Sequence, residues 1–239
     1  MKYLYGPVKS RRIGSSLGIS LTPYKTCSFN CLYCQLGKTN ALIVERKEYI
    51  DPKEILEELR LWLENNPEEA NILDYITLAG SGEPTLNIKL SEIIDSIRKI
   101  TNHKIALITN SSLLSSQDIR REILGVDLII PSLDAVTQEV LIKVDNPFLG
   151  IKVEDIIDGL ILLRKEFKGK IWLEVMLLKG INDDIRHIKK LKEVIEQINP
   201  DKVQINSPVR MPIGANVSAV SKSKLVKIKN ILGEKAEIV

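Results

Sequence analysis

The sequence predicts an α/β fold in which a parallel sheet is covered by helices. Three observations carry this expectation. From residue 17 onward, short apolar runs alternate with amphipathic stretches, the pattern of strand–helix units. In each unit Gly, Asn, Ser, Asp and Glu gather just after the strand. The 239 residues contain no internal repeat or low-complexity linker, and that length suits one α/β barrel. One domain over residues 1–239 is expected, with a core of about 13–210 and a C-terminal helical extension at 211–239.

The first strand is expected over Ser16 to Tyr24. A helix follows from Asp51 as N-cap and Pro52 as first helical residue, with Ile55, Leu56, Leu59, Trp62 and Leu63 at helical spacing. Tyr75 to Leu78 is the second strand, running into Gly80-Ser81-Gly82-Glu83-Pro84-Thr85; Ile88 to Ile100 is a helix. Lys104 to Thr109 is a strand leading into Asn110-Ser111-Ser112, and Gln117 to Leu124 a helix. Asp127 to Pro131 leads into Ser132-Leu133-Asp134, followed by helices over Thr137 to Val144 and Glu154 to Phe167. Lys170 to Leu178, a helix from Asp184 to Ile198, the strand Lys202 to Asn206 and a helix over Ser221 to Ile231 complete the chain. Six units make an incomplete barrel whose post-strand loops meet at one mouth. Periodicity alone does not distinguish such an arc from a flat doubly wound sheet.

Composition narrows the function classes. No apolar stretch reaches the ~20 residues of a membrane span, and the first residues lack a signal-peptide core. All three cysteines fall between residues 27 and 34, which is no disulfide framework. A soluble, cytoplasmic protein without membrane contact is expected. The net charge of +3 neither supports nor excludes RNA as a partner.

Those cysteines lie in Cys27-Ser28-Phe29-Asn30-Cys31-Leu32-Tyr33-Cys34. Three thiolates spaced C-x3-C-x2-C are soft ligands suited to an iron–sulfur cluster or to zinc. There is no fourth cysteine, so a cubane held here would keep one iron open. A zinc site would need a histidine, and His103 and His187 are both distant in sequence. A zinc-stabilised, non-enzymatic binding module is therefore the rival reading.

The loop, with Tyr33 before its last cysteine, resembles the signature of the radical S-adenosylmethionine (SAM) superfamily, and the resemblance runs from about Gly6 to Arg210. It implies a partial (β/α)6 TIM-like barrel and a [4Fe-4S] cluster held by Cys27, Cys31 and Cys34, with SAM on the open iron. In the superfamily a Gly-Gly-Glu-like motif binds the SAM amino group. Here it is Ser81-Gly82-Glu83, with Glu83 as acceptor, the Gly82 backbone nearby and serine replacing the first glycine. The resemblance places Tyr33 against the adenine.

Other candidates come from residue type and position. Asn110, Ser111, Ser132 and Asp134 offer short donors and acceptors for ribose hydroxyls or the SAM carboxylate, or equally serve as helix N-caps. Glu174 lies in the apolar run Ile171 to Leu178 and shares a face with Trp172 and Met176. A carboxylate inside a barrel needs a partner: SAM, substrate or a salt bridge. Gln204 and Asn206 share a face of the last strand, and Lys179 and Arg210 stand at strand ends, where they meet an anion or solvent.

Gly6 to Gly14, Tyr24 to Gly37, Met176 to Asp183 and Asn206 to Arg210 are similar to small radical SAM proteins of the wyosine-synthesis (tRNA imidazoguanosine synthetase) group. That similarity implies phosphate contacts for Lys9, Arg11 and Arg12, which a solvated basic N-terminus explains equally well. Wyosine-synthesis enzymes carry extra cysteines for a second cluster, and their longest forms a flavodoxin domain; these 239 residues have neither. A second cysteine-bound cluster and a thiol methyl carrier are excluded, so electrons come from an external one-electron donor, a ferredoxin or flavodoxin. The expected function is reductive cleavage of SAM and hydrogen-atom abstraction from a substrate such as a tRNA nucleoside. The alternatives are a maturase or activase acting on a partner protein, and the zinc-stabilised module.

Overall fold

The computed structural model describes residues 1–208 and 217–239; Arg210, named above, lies outside the described residues. In chain order the elements begin with β1 (Leu4–Ser10), β2 (Gly14–Ser20), the short β3 (Thr26–Cys27) and β4 (Ala41–Leu42), α1 (Pro52–Asn65) and α2 (Pro67–Asn71). Next come β5 (Tyr75–Ala79), α3 (Leu90–Ile100), β6 (Lys104–Thr109), α4 (Gln117–Glu122), β7 (Leu128–Pro131), α5 (Gln138–Asp145) and α6 (Val153–Glu166). The chain ends with β8 (Lys170–Met176), α7 (Ile185–Ile198), β9 (Lys202–Asn206), α8 (Lys222–Leu232) and β10 (Ala236–Ile238).

Eight strands form one sheet in the order β1-β2-β5-β6-β7-β8-β9-β10. β1 runs antiparallel to β2, and the remaining neighbours are parallel. The six expected parallel strands are β2 and β5 to β9. The first ends at Ser20 instead of Tyr24, because Pro23 and the turn around it leave the ladder.

The edge strands β1 and β10 were not expected. β1 contains a cis Gly6–Pro7 bond and a register shift between Tyr5 and Val8; a proline inside a run reads as a turn, yet an edge strand tolerates it. The Tyr5 ring lies flat on Gly18 of β2, where a Cβ would stand 2.0 Å from the ring. β10 is three residues long and follows α8 through Gly233, so the C-terminal extension holds a strand as well as the expected helix.

The sheet is curled. The turn between β1 and β2 at one edge reaches strands at the other: Arg11 Nη1 donates to the Val239 carbonyl at 3.2 Å, Gln204 Nε2 donates to the Arg12 carbonyl at 3.1 Å, and Arg12 pairs with Glu174 on β8. A flat sheet would keep these edges apart. The outer face packs under the helices through Leu17, Ile76, Leu107, Leu173 and Val203, all fully buried. α1 shows how: Asp51 accepts from the Lys53 amide at 2.9 Å as N-cap, and Ile55, Leu59 and Trp62 form its buried stripe. Inside the curl, Ile13, Ala106, Leu128 and Ile130 form a small apolar plug with Trp172.

Candidate functional site: the cysteine loop and the barrel mouth

The cysteine loop leaves β2 and is anchored on several sides. Thr26 and Cys27 pair with Ala41 and Leu42 in a two-residue ladder. The Asn30 and Leu32 amides donate to the Asp145 and Val144 carbonyls at 3.0 and 2.9 Å, at the end of α5. Thr39 Oγ1 donates to the Phe29 carbonyl at 2.7 Å, folding the loop back on itself. The result is a short irregular segment whose three cysteines are free and half-buried.

Each thiol has a distinct environment. Cys27 Sγ accepts from Asn110 Nδ2 and the Phe29 amide, each at 3.5 Å; burial pushes its thiol up to about 11, with Glu83 adding. Cys31 is held well above the usual thiol range by burial and then by Asp145. Cys34 Sγ accepts from Lys25 Nζ at 2.9 Å. Asp145 is itself raised to about 7 by burial, and its Oδ1 is buried without a hydrogen-bond partner among the described residues.

Cys27, Tyr33 and Cys34 face a cavity of about 760 Å³ that also takes in Gly82, Glu83, Asn110, Ser132, Glu174 and Asn206. Most of the residues expected at the site therefore meet on one cavity. Glu83 is buried, and its Oε1 accepts from the Thr85 amide, Thr85 Oγ1 and Thr109 Oγ1 at 3.1, 2.7 and 2.7 Å. Its Oε2 accepts from the Asn110 amide at 2.8 Å, which leaves acceptor capacity on that oxygen. Burial outweighs these bonds and raises the carboxyl above the usual range. Gly82 fits only as glycine, since a Cβ would meet the Thr26 carbonyl oxygen at 1.9 Å. That close approach, with the Glu83 amide donating to the Thr26 carbonyl at 3.1 Å, fixes Glu83 beside Cys27.

Other expected contacts stand elsewhere. Ser81 Oγ lies 3.3 Å from Ser20 Oγ, behind the loop. Ser111 is fully buried and donates to the Ser132 carbonyl at 2.8 Å, tying two post-strand loops together. Gln204 is fully buried and donates to the Arg12 carbonyl and to Glu237. None of the three lines the cavity; each closes the scaffold around it. Asp134 accepts from the Tyr33 hydroxyl and from the Met176 amide, the latter at 2.7 Å, so it fixes the position of the tyrosine hydroxyl. Glu174 accepts from Arg12 and, at 3.2 Å, from Asn206 Nδ2.

Sequence reasoning missed Lys25, Thr85, Thr109 and Asp145. Thr85 had a usable signal, since Glu83-Pro84-Thr85 is a capping sequence and Glu83 accepts from the Thr85 amide. Asp145 had none, because its role comes from packing against a loop far away in sequence.

The donor set fits an iron–sulfur cluster. Among the described residues no three His, Cys, Asp or Glu side chains converge closely enough to hold a single metal ion. A cubane is itself several ångströms across, so its ligands surround it instead of meeting at a point. Three free thiols on one loop, a carboxylate with spare acceptor capacity and a glycine-walled approach suit such a cluster with an amino-acid-bearing ligand beside it.

A family model described as Radical SAM superfamily matches residues 21–191. Over 236 residues the chain is 36% identical to a UPF0026 protein from Methanocaldococcus jannaschii, covering 98% of this chain and 72% of that protein. It is 41% identical over 228 residues to a protein named GTPase Obg from Brachyspira hyodysenteriae, covering 95% of this chain and 33% of that one; the chain thus spans about a third of that relative's length. A radical SAM methyltransferase structure from Sphaerobacter thermophilus matches with a TM-score of 0.72 at 16% identity, over 94% of this chain and 66% of that one. The structure of archaeal TYW1 matches with a TM-score of 0.64 at 20% identity, over 92% and 72%. At these identities the structural likeness speaks for the fold.

Proposed function

The chain belongs to the radical SAM superfamily and is an enzyme of that class, and we propose that its substrate is a nucleoside within tRNA. Cys27, Cys31 and Cys34 would hold the [4Fe-4S] cluster, and Glu83 the SAM ammonium. When bound, cluster and SAM supply reductive cleavage of the sulfonium and the hydrogen-atom abstraction that follows; the electron comes from an external donor. The chain's own residues position and enclose. Asp134 holds Tyr33 at the cavity wall, and Gly82 brings Glu83 against the cysteine loop.

The observation that carries the substrate reading is the cavity's composition. Lys9, Arg11 and Arg12, from the β1–β2 hairpin, open on the same space as the cysteine loop, and Glu174 is the carboxylate paired among them. That wall keeps a surplus of positive charge suited to phosphate. A volume of about 760 Å³ is within the ~300–1,000 Å³ of small-molecule sites. We further propose that residues 1–239 act as one domain and that the enzyme works in the cytoplasm, with a ferredoxin or flavodoxin as donor. Among the described residues no helix is long and apolar enough to cross a membrane.

Anaerobic reconstitution with iron and sulfide, followed by SAM, dithionite and unfractionated tRNA, tests this. Expected are 5'-deoxyadenosine formation that disappears in Cys31→Ala and tRNA binding that weakens steeply with salt. A colourless, zinc-bearing protein would overturn the enzymatic reading. Cleavage of SAM without tRNA binding, in a protein that pulls down a polypeptide and leaves a glycyl radical on it, would replace tRNA with a partner protein.

A further inference from the structure

Lys25 combines three properties that do not ordinarily coincide. It is buried, with 3% of its surface exposed. Its φ is +57°, a left-handed conformation that strains any residue other than glycine. Its ammonium donates to Cys34 Sγ at 2.9 Å, and no carboxylate pairs with it among the described residues.

The backbone leaves the side chain little choice. The Lys25 amide donates to the Ser81 carbonyl, and its own carbonyl accepts from the Asn40 and Ala41 amides at 3.0 and 3.1 Å. The loop bearing Glu83 and the returning arm of the cysteine loop therefore clamp the same residue. A buried ammonium needs a countercharge. A cluster's thiolate ligand would supply it, and Cys34 Sγ is in contact with the ammonium.

We propose that Lys25 is a positioning residue that fixes a positive charge against the Cys34 thiolate and so raises the reduction potential of the cluster these cysteines hold. The proposal rests on the reading of the loop as a cluster site. A cluster bound by three thiolates is anionic and gains further negative charge on reduction, so a fixed cation and an N–H···S bond favour the reduced state. In a water-poor site the effect is larger than on the surface. Lys25 thereby sets how strong a one-electron donor the enzyme requires.

The test uses the full chain, reconstituted anaerobically, as wild type, Lys25→Gln and Lys25→Arg. Iron per chain is counted, and reduction by dithionite is followed by electron paramagnetic resonance at controlled potential. Lys25→Gln is expected to load iron normally, while its reduced-to-oxidised ratio at a given potential falls at least tenfold, about 59 mV for one electron. Lys25→Arg keeps the charge and should restore most of that ratio. An unchanged potential in Lys25→Gln overturns the proposal. If Lys25→Gln loads no cluster, a Lys25→Arg chain that loads and reduces near the wild-type potential supports it, and one that also fails to load overturns it. A wild-type chain with no [4Fe-4S] signal overturns the cluster reading itself, an outcome distinct from a cluster indifferent to Lys25.

Discussion

On its outer face the sheet presents Leu17, Ile19, Ile76, Leu78, Ile105, Leu107, Leu173 and Val175 at alternate positions under the helices, all buried in one apolar cluster. The inner face of the same strands carries Ser16, Thr77, Glu174 and Gln204 above the plug of Ile13, Ala106, Leu128 and Ile130. Most polar groups inside pair with one another or with neighbouring elements: Ser16 with Thr77, Glu174 with Arg12 and Asn206, and Gln204 Nε2 with Glu237, while Gln204 Oε1 is buried without a partner among the described residues. The outer face holds the fold by volume and hydrophobic burial. The inner face gives up part of that to keep a cavity that does not collapse. Stability and function are thus separated by strand parity, one residue apart.

That separation is open to direct test, and the largest effect is expected outside. Leu107 is fully buried in the outer cluster, so Leu107→Ala should lower stability by about 2–5 kcal/mol, read by denaturant unfolding of the metal-free chain. Iron bound per folded chain should stay unchanged. Lost cluster loading without lost stability would show that the two faces are not independent.

Inside, Glu174→Gln is expected to do the opposite. It removes the carboxylate from an ion pair whose arginine side chain is 28% exposed, so solvent softens the loss to about 1–2 kcal/mol, well below that of breaking a fully buried pair. The freed Arg12 charge should then tighten tRNA binding and steepen its salt dependence. Unchanged binding would remove Arg12 from the phosphate-contacting wall and leave its pair with Glu174 a purely structural one.

The contrast between faces also explains what the sequence disclosed. Outer-face strands are apolar at every second position, and β6 and β9 run from Lys104 to Thr109 and from Lys202 to Asn206, as their patterns predict. The cysteine spacing and Glu83 were legible because each belongs to a short local motif. The edges were not: Gly6-Pro7 looks like a turn, and three residues at β10 are too few to show alternation. Nor were the inner pairings, since Tyr33 meets Asp134 across 101 positions and Arg12 meets Glu174 across 162. Ser111 and Ser81 looked like ligands because short polar residues follow strands at active sites, but the same side chains also close post-strand loops onto backbone or neighbouring serines. Lys25 had no signal, because its strained φ and buried charge exist only once the loops meet.

The smallest expected effect concerns a titratable group under the helical layer. His187 lies on the buried stripe of α7, and its Nε2 is buried without a hydrogen-bond partner among the described residues. Burial lowers its pKa below the usual value; the Asp184 carboxylate and a hydrogen bond with the Asp134 backbone oppose that, while Lys190 adds to it. The sign of the linkage follows. Below the ordinary histidine pKa of about 6.5 the unfolded chain binds a proton that the folded chain refuses, so stability falls with pH until the lowered folded value is reached, and is flat above about 6.5. Against the rise that the buried Glu83 and Asp145, both raised by burial, contribute as the pH falls, His187 therefore adds a downward slope to the melting temperature of the metal-free chain between pH 7 and pH 5. His187→Leu should flatten that slope while leaving the loss at still lower pH, where Asp184, held below the usual carboxylate range by the His187 and Arg186 amides, becomes protonated. A His187→Leu chain whose melting temperature follows pH as the wild type's does would show that His187 carries no part of the pH dependence.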